Sequence, residues 1–103
     1  MPTLSIAVEH EDGTVVVRPR GEVDYDSALV LTGAVEEVEG EWHGVVVDLS
    51  QVPFMDSAGL HALIALERRC REQGSRLTVI GIQEQPTRLL DLVSLGGFFT
   101  TTA

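Results

Sequence analysis

The chain has 103 residues, 44% of them hydrophobic and 22% charged, which suits one folded core and leaves no room for a second domain. Its formal net charge is −9, and its basic residues are seven arginines and no lysine. Nucleic acids and anionic membranes would repel such a chain, and because it has neither a bilayer-spanning apolar run of roughly 20 residues nor a signal-peptide pattern, we expect it in the cytoplasm.

The first predicted elements form a hairpin. Residues 4–8 and 14–19 are typical of two strands, and the Glu-Asp-Gly sequence at 11–13 is typical of the turn between them. Residues 21–24 follow as a loop. A helix is then predicted to begin at a cap formed by Asp26 or Ser27, and its apolar positions are Ala28, Leu31, Val35 and Val38.

Residues 40–44 end that helix. Residues 45–49 then form a run that is apolar except for Asp48. Such a run predicts a strand that is covered on both faces. The next helix is predicted from apolar residues at helical spacing, which are Leu60, Leu63, Ile64, Leu66 and Cys70. Cys70 lies on the apolar side of this helix, so it is predicted to be a core thiol.

Ser57 stands where the buried strand has ended and the long helix begins. Its hydroxyl is predicted to cap the helix by accepting from a first-turn amide, a bond worth on the order of 1 kcal/mol. Gly59, two residues later, costs about 1 kcal/mol relative to alanine inside a helix. A glycine there indicates that another backbone or a partner comes close.

The remaining elements follow in alternation. Gly74 is predicted to end the long helix, residues 76–81 to form a strand, residues 86–93 a short helix, and residues 98–100 a last edge strand. Strand–helix–strand passages imply parallel pairing, whereas the opening hairpin is antiparallel. The predicted fold class is therefore α/β, with a mixed four- to five-stranded sheet packed with about three to four helices.

Four segments of the chain resemble the anti-sigma factor antagonist family, whose fold is the STAS domain. They are residues 21–24 (GEVD), 48–60 (DLSQVPFMDSAGL), 77–81 (LTVIG) and 88–92 (RLLDL). The resemblance covers nearly the whole chain and implies a single STAS domain over residues 1–103. We expect no cofactor and no metal, and a monomer or a weak dimer.

The resemblance also implies a phosphorylation switch at Ser57, the residue that matches the serine phosphorylated by a partner kinase. Unphosphorylated members bind an anti-sigma factor, commonly that same kinase, and thereby release a sigma factor to RNA polymerase. Phosphorylation blocks the binding, and a serine phosphatase restores it. The partner-binding residues implied are Asp24, Asp56, Ser57, Ala58 and Gly59; Ala58 replaces a second hydroxyl residue that many members carry.

Other interpretations stay open. Ser57 could be a cap alone, Asp24 a turn residue, and Asp56 a favourable charge at a helix start. STAS-like modules also serve as scaffolds or sensors in larger signalling assemblies. A hydrolase that uses Ser57 is disfavoured, because the nucleophile elbow needs glycine where Met55 stands and no histidine is placed as a base. Asp24, Asp26 and Asp56 could hold a magnesium ion.

Overall fold

The structure is a computed structural model that describes residues 4–24, 30, 31, 33, 34, 42–92 and 100–102. Its strands are β1 (Ser5–Glu11), β2 (Thr14–Arg20), β3 (Gly44–Asp48), β4 (Arg76–Ile80) and β5 (Thr100–Thr102). Helix α1 spans Ser57–Glu72 and helix α2 spans Glu84–Leu92. Residues 30, 31, 33 and 34 are helical as well.

The five strands form one mixed sheet in the order β1-β2-β3-β4-β5. Strands β1 and β2 pair antiparallel through the turn at Asp12 and Gly13, whereas β2–β3, β3–β4 and β4–β5 are parallel. This confirms the mixed sheet and its opening hairpin. Because the chain crosses from β2 to β3 and from β3 to β4 in parallel, the loops after these strands leave the sheet at one edge.

The central strand β3 is buried on one face, so the prediction of two covered faces was wrong. Val45 and Val47 are buried, whereas Val46 between them is half-buried, and β2 and β4 alternate in the same way. The core lies on the face against which α1 packs. Valine favours strands on either face, so the three consecutive valines at 45–47 reflect strand propensity rather than burial on both sides.

The helix count differs from the prediction. Over the described residues two helices have complete bounds, fewer than the three to four expected. Most of the helix predicted after Asp26 or Ser27 lies outside the described residues, although Leu31 is helical and fully buried. Phe98 and Phe99, predicted to start the last strand, also lie outside them. Within the described part of the chain, no helix is long and apolar enough to cross a bilayer.

Gly74 terminates helix α1, as predicted, two residues after the last helical residue, Glu72. Gly74 has a φ of 71°, its N–H donates to the carbonyl of Arg71 at 3.1 Å, and the N–H of Ser75 donates to the carbonyl of Cys70 at 2.8 Å. These bonds define a Schellman motif, in which glycine adopts a left-handed conformation at little cost. Cys70 is buried, and this burial raises the pKa of its thiol, which confirms a core cysteine.

Candidate functional site

Two loops lie side by side at the carboxyl edge of the sheet: the β2 loop (residues 21–24) and the β3 loop (residues 49–56). Three backbone hydrogen bonds join the two loops. The N–H of Gly21 donates to the carbonyl of Gln51 at 3.0 Å, the N–H of Val23 donates to the carbonyl of Phe54 at 3.2 Å, and the N–H of Asp56 donates to the carbonyl of Val23 at 3.2 Å. Val23 and Met55 thereby form an isolated parallel bridge. The structure thus brings together two segments that lie about 30 residues apart in the sequence.

Helix α1 is capped by Asp56, so the prediction that Ser57 caps it was wrong. Asp56 has an extended backbone (φ −102°, ψ −172°), and its Oδ1 accepts from the N–H groups of Ala58 at 2.9 Å and Gly59 at 3.1 Å. The carboxylate thus already satisfies the first-turn amides that a cap serves. Ser57 is the first helical residue and is exposed, and within the described residues nothing bonds its hydroxyl.

This assignment predicts different costs for two neighbouring alanine variants. Asp56→Ala should lower the free energy of unfolding by about 0.5–2 kcal/mol, because two amides lose their acceptor. Ser57→Ala should change it by less than about 0.5 kcal/mol, as expected for an exposed side chain. Urea denaturation of both variants beside the wild type measures this difference. If Ser57→Ala lowers the free energy of unfolding more than Asp56→Ala does, Ser57 is the cap.

Gly59 allows the β2 loop to approach helix α1. A Cβ atom at this position would lie 2.6 Å from the carbonyl oxygen of Val23, 2.7 Å from Cγ of Met55 and 2.9 Å from Cγ1 of Val23. Distances this short are steric clashes. The close backbone that the sequence predicted is therefore present, and it belongs to the chain's own β2 loop.

Gln85, on helix α2, holds the β3 loop from another direction. Its Oε1 accepts from the N–H of Met55 at 2.9 Å, and its Nε2 donates to the carbonyl of the same residue at 2.9 Å. One side-chain amide thus satisfies both backbone groups of Met55, as a neighbouring strand would. Gln83 adds a bond from its Nε2 to the carbonyl of Ser50 at 3.0 Å.

Sequence reasoning missed both glutamines. The signal available was two uncharged amides, Gln83 and Gln85, just before Pro86 at a helix start. Exposed glutamines are common in such places, so this signal is weak. What makes Gln85 distinctive is its target, because Met55 is only 1% exposed and its backbone polar groups need partners inside the protein.

The predicted partner-binding residues differ in exposure. Ser57 is exposed, Asp24, Asp56 and Ala58 are half-buried, and Gly59 is buried against Val23. Asp24 and Asp56 each directly follow a member of the Val23–Met55 bridge, so these two residues stand in adjacent segments, and Asp56 directly precedes the serine. Among the described residues no three metal-binding side chains cluster, and Asp26, one of the three carboxylates considered for magnesium, lies outside them.

Asp48 stabilises the start of the β3 loop. Its Oδ1 accepts from the N–H of Ser50 at 2.9 Å, and its Oδ2 lies 3.7 Å from Nε of Arg18. The hydrogen bonds from Ser50 hold the pKa of the Asp48 carboxyl below its usual value of 3.8, with a smaller contribution from Arg18 and some opposition from burial.

The lowered pKa of Asp48 predicts a pH-dependent contribution to stability. The unfolded chain binds the proton more readily than the folded one, so the contribution is fully present above a pH of about 4 and is lost as the pH falls through the folded-state pKa. The difference in unfolding free energy between wild type and Asp48→Asn should therefore shrink between about pH 6 and about pH 3. Urea denaturation at several pH values measures it, and a difference that stays constant would contradict the assignment.

Comparison with known proteins places this geometry in a family. The model of the STAS domain matches residues 5–103. Among curated proteins, the chain is similar to the anti-sigma F factor antagonist of Paenibacillus polymyxa, with 28% identity over 94 residues that cover 89% of this chain and 80% of that protein.

Solved structures show the same fold. An anti-sigma factor antagonist from Mycobacterium paratuberculosis aligns with a TM-score of 0.83 and 29% identity, over 96% of this chain and 85% of that one. The anti-sigma factor antagonist SpoIIAA in its unphosphorylated form aligns with a TM-score of 0.80 and 18% identity, over 96% and 89% of the two chains. The phosphorylated form of SpoIIAA, a Bacillus cell fate determinant, aligns with a TM-score of 0.74 and 18% identity, over 96% and 92%. Since the family model matches nearly the whole chain, this protein belongs to the STAS domain family.

Proposed function

We propose that this chain acts as a single STAS domain and is an anti-sigma factor antagonist whose binding is switched by phosphorylation of Ser57. In the unphosphorylated state it binds an anti-sigma factor with serine kinase activity, in the cytoplasm, and a sigma factor is released. Phosphorylation by that kinase ends the binding, and a serine phosphatase restores it. The names of the relatives support the class of partner, and SpoIIAA, which shares the fold, is known in both phosphorylation states.

The observation that carries the proposal is the exposed hydroxyl of Ser57 at the first position of α1. Because Asp56 serves as the cap, this hydroxyl is not needed for helix stability and can accept a phosphate without loss of a structural bond. A phosphate adds about −1.5 to −2 charges at neutral pH. On the exposed surface of the free protein, water and salt screen that charge, and the positive end of the helix dipole favours it. We therefore expect the fold to stay unchanged.

The effect of the phosphate appears in the complex. There the phosphate would lose water while Asp56 and Asp24 stand in the adjacent segments, and an unpaired buried charge costs about 3–5 kcal/mol. At about 1.4 kcal/mol per tenfold change, this equals two to three or more orders of magnitude in affinity. Local electrostatics therefore suffices for the switch.

A binding role fits the site better than catalysis does. A serine nucleophile needs a base within hydrogen-bonding distance of its hydroxyl. Within the described residues nothing bonds the Ser57 hydroxyl, and the carboxylate of Asp56 is occupied by the amides of the first turn. The relative and the solved neighbours described above are antagonists of anti-sigma factors, a regulatory class without enzymatic activity.

Phosphorylation mapping tests the proposal directly. The purified chain is incubated with ATP and each anti-sigma factor kinase of its source organism, and intact mass and peptide mapping then locate any phosphate. We expect one phosphate on Ser57 and none in Ser57→Ala. Incorporation into Ser57→Ala at the wild-type level would place the acceptor elsewhere. If none of these kinases phosphorylates the chain or binds it, the antagonist function is rejected and a scaffold role is favoured.

A further inference from the structure

Phe54 is a large apolar residue that the β3 loop exposes rather than buries. Its neighbours Val52 and Met55 are buried in the core, at 0% and 1% exposure, whereas the Phe54 side chain is 43% exposed. Ser57, three residues later, is exposed as well. An aromatic side chain that stays in water keeps a large apolar area available for a partner.

The backbone that carries Phe54 is held on both sides. Its carbonyl accepts from the N–H of Val23 in the β2 loop at 3.2 Å, and both backbone groups of the next residue, Met55, bond the amide of Gln85. On the preceding side, the N–H of Val52 donates to the carbonyl of Leu49 at 3.0 Å. A side chain presented on such a fixed backbone loses little conformational freedom on binding, which favours affinity.

The charged residues within the two loops carry charge of one sign. The ionisable residues of the β2 and β3 loops are Glu22, Asp24 and Asp56, and neither loop contains a basic residue. The two loops therefore combine an exposed aromatic side chain with acidic residues, a pattern that complements an apolar pocket bordered by arginine or lysine.

We infer that Phe54 is the aromatic anchor of the partner-binding surface and inserts into an apolar pocket of the anti-sigma factor that basic side chains border. The inference rests on the proposed function and deepens it, because it names the contact that supplies affinity in the unphosphorylated state. Buried aromatic anchors are among the side chains that dominate interface energies. Ser57 at the border of this contact then controls whether the anchor can dock.

Isothermal titration of purified anti-sigma factors from the source organism tests the anchor. Phe54→Ala should weaken binding about 10- to 100-fold, and Phe54→Leu should lie between this variant and the wild type. The matched control is Leu92→Ala on helix α2, since Leu92 is 82% exposed and lies outside both loops. It should bind within about twofold of the wild type.

Urea denaturation of all three variants separates lost contacts from lost folding.

The proposed basic border adds a second expectation, since the affinity of the wild type should fall as salt rises. If the wild type binds and Phe54→Ala binds equally well, the anchor is wrong while the antagonist function stands. If binding of the wild type strengthens or stays constant with salt, the basic border is wrong. If the wild type binds no anti-sigma factor, the proposed function fails, and the anchor fails with it.

Discussion

Ser57→Glu is expected to weaken binding to the anti-sigma factor by about two to three orders of magnitude. The free energy of unfolding should change by less than about 1 kcal/mol, because Ser57 is exposed and Asp56 carries the cap. The glutamate adds a single negative charge beside Asp56, so it reproduces the sign of the phosphate with less charge. Titration calorimetry with the unmodified anti-sigma factor measures the loss, and chemical denaturation measures stability.

Ser57→Gln is the matched control, because glutamine has nearly the shape of glutamate and no charge. We expect its affinity to stay well above that of Ser57→Glu, and Ser57→Ala should bind constitutively. If glutamine weakens binding as much as glutamate does, volume rather than charge operates the switch. Equal binding by Ser57→Glu and the wild type would contradict the electrostatic mechanism altogether.

Gly59→Ala is expected to destabilise the protein by about 1–3 kcal/mol. The sign is unusual, since alanine normally stabilises a helix by about 1 kcal/mol relative to glycine. The new Cβ would meet the carbonyl oxygen of Val23 at 2.6 Å, and this is a backbone atom that also accepts from the N–H of Asp56. The β2 loop must therefore move away from α1, so binding of the anti-sigma factor should weaken as well.

Gly33→Ala provides the control for this variant. Gly33 is helical, and a Cβ there would meet no atom within 4 Å beyond its adjacent residues and the backbone of its own helix. The same substitution should therefore leave stability unchanged or raise it by up to about 1 kcal/mol. Urea denaturation of the two variants compares them directly. If Gly59→Ala is as stable as Gly33→Ala, the β2 loop is not held against the helix in the way the structure describes.

The features that the sequence predicted correctly depend on local chemistry. The turn at residues 11–13, the termination of α1 by Gly74 and the close approach at Gly59 each follow from a glycine whose position permits few explanations. The parallel part of the sheet follows from strands that alternate with helices. These signals need no knowledge of which residues meet across the fold.

The errors arose where neighbouring residues offer the same chemistry or where contacts join distant segments. Asp56 and Ser57 are both good caps, so their order in the sequence does not decide which one takes the extended conformation. The valines at 45–47 lie on both faces of β3, so they did not indicate which face of the strand is covered. The bonds between Gln85 and Met55 join side chain to backbone across 30 residues, and such contacts leave no periodic pattern.

The two hydrogen bonds between Gln85 and the backbone of Met55 have a consequence for the newly made protein. Ser57 leaves the ribosome well before Gln85 does, since 30 residues separate Met55 from the side chain that satisfies its backbone. Until the chain has been synthesised past α2, the loop that carries Phe54 lacks one of its two supports. We therefore expect nascent or truncated chains to be poor substrates for the kinase and poor ligands for the anti-sigma factor. Only a completed molecule would compete with the sigma factor for the anti-sigma factor, so unfinished copies would not add to the amount of active antagonist.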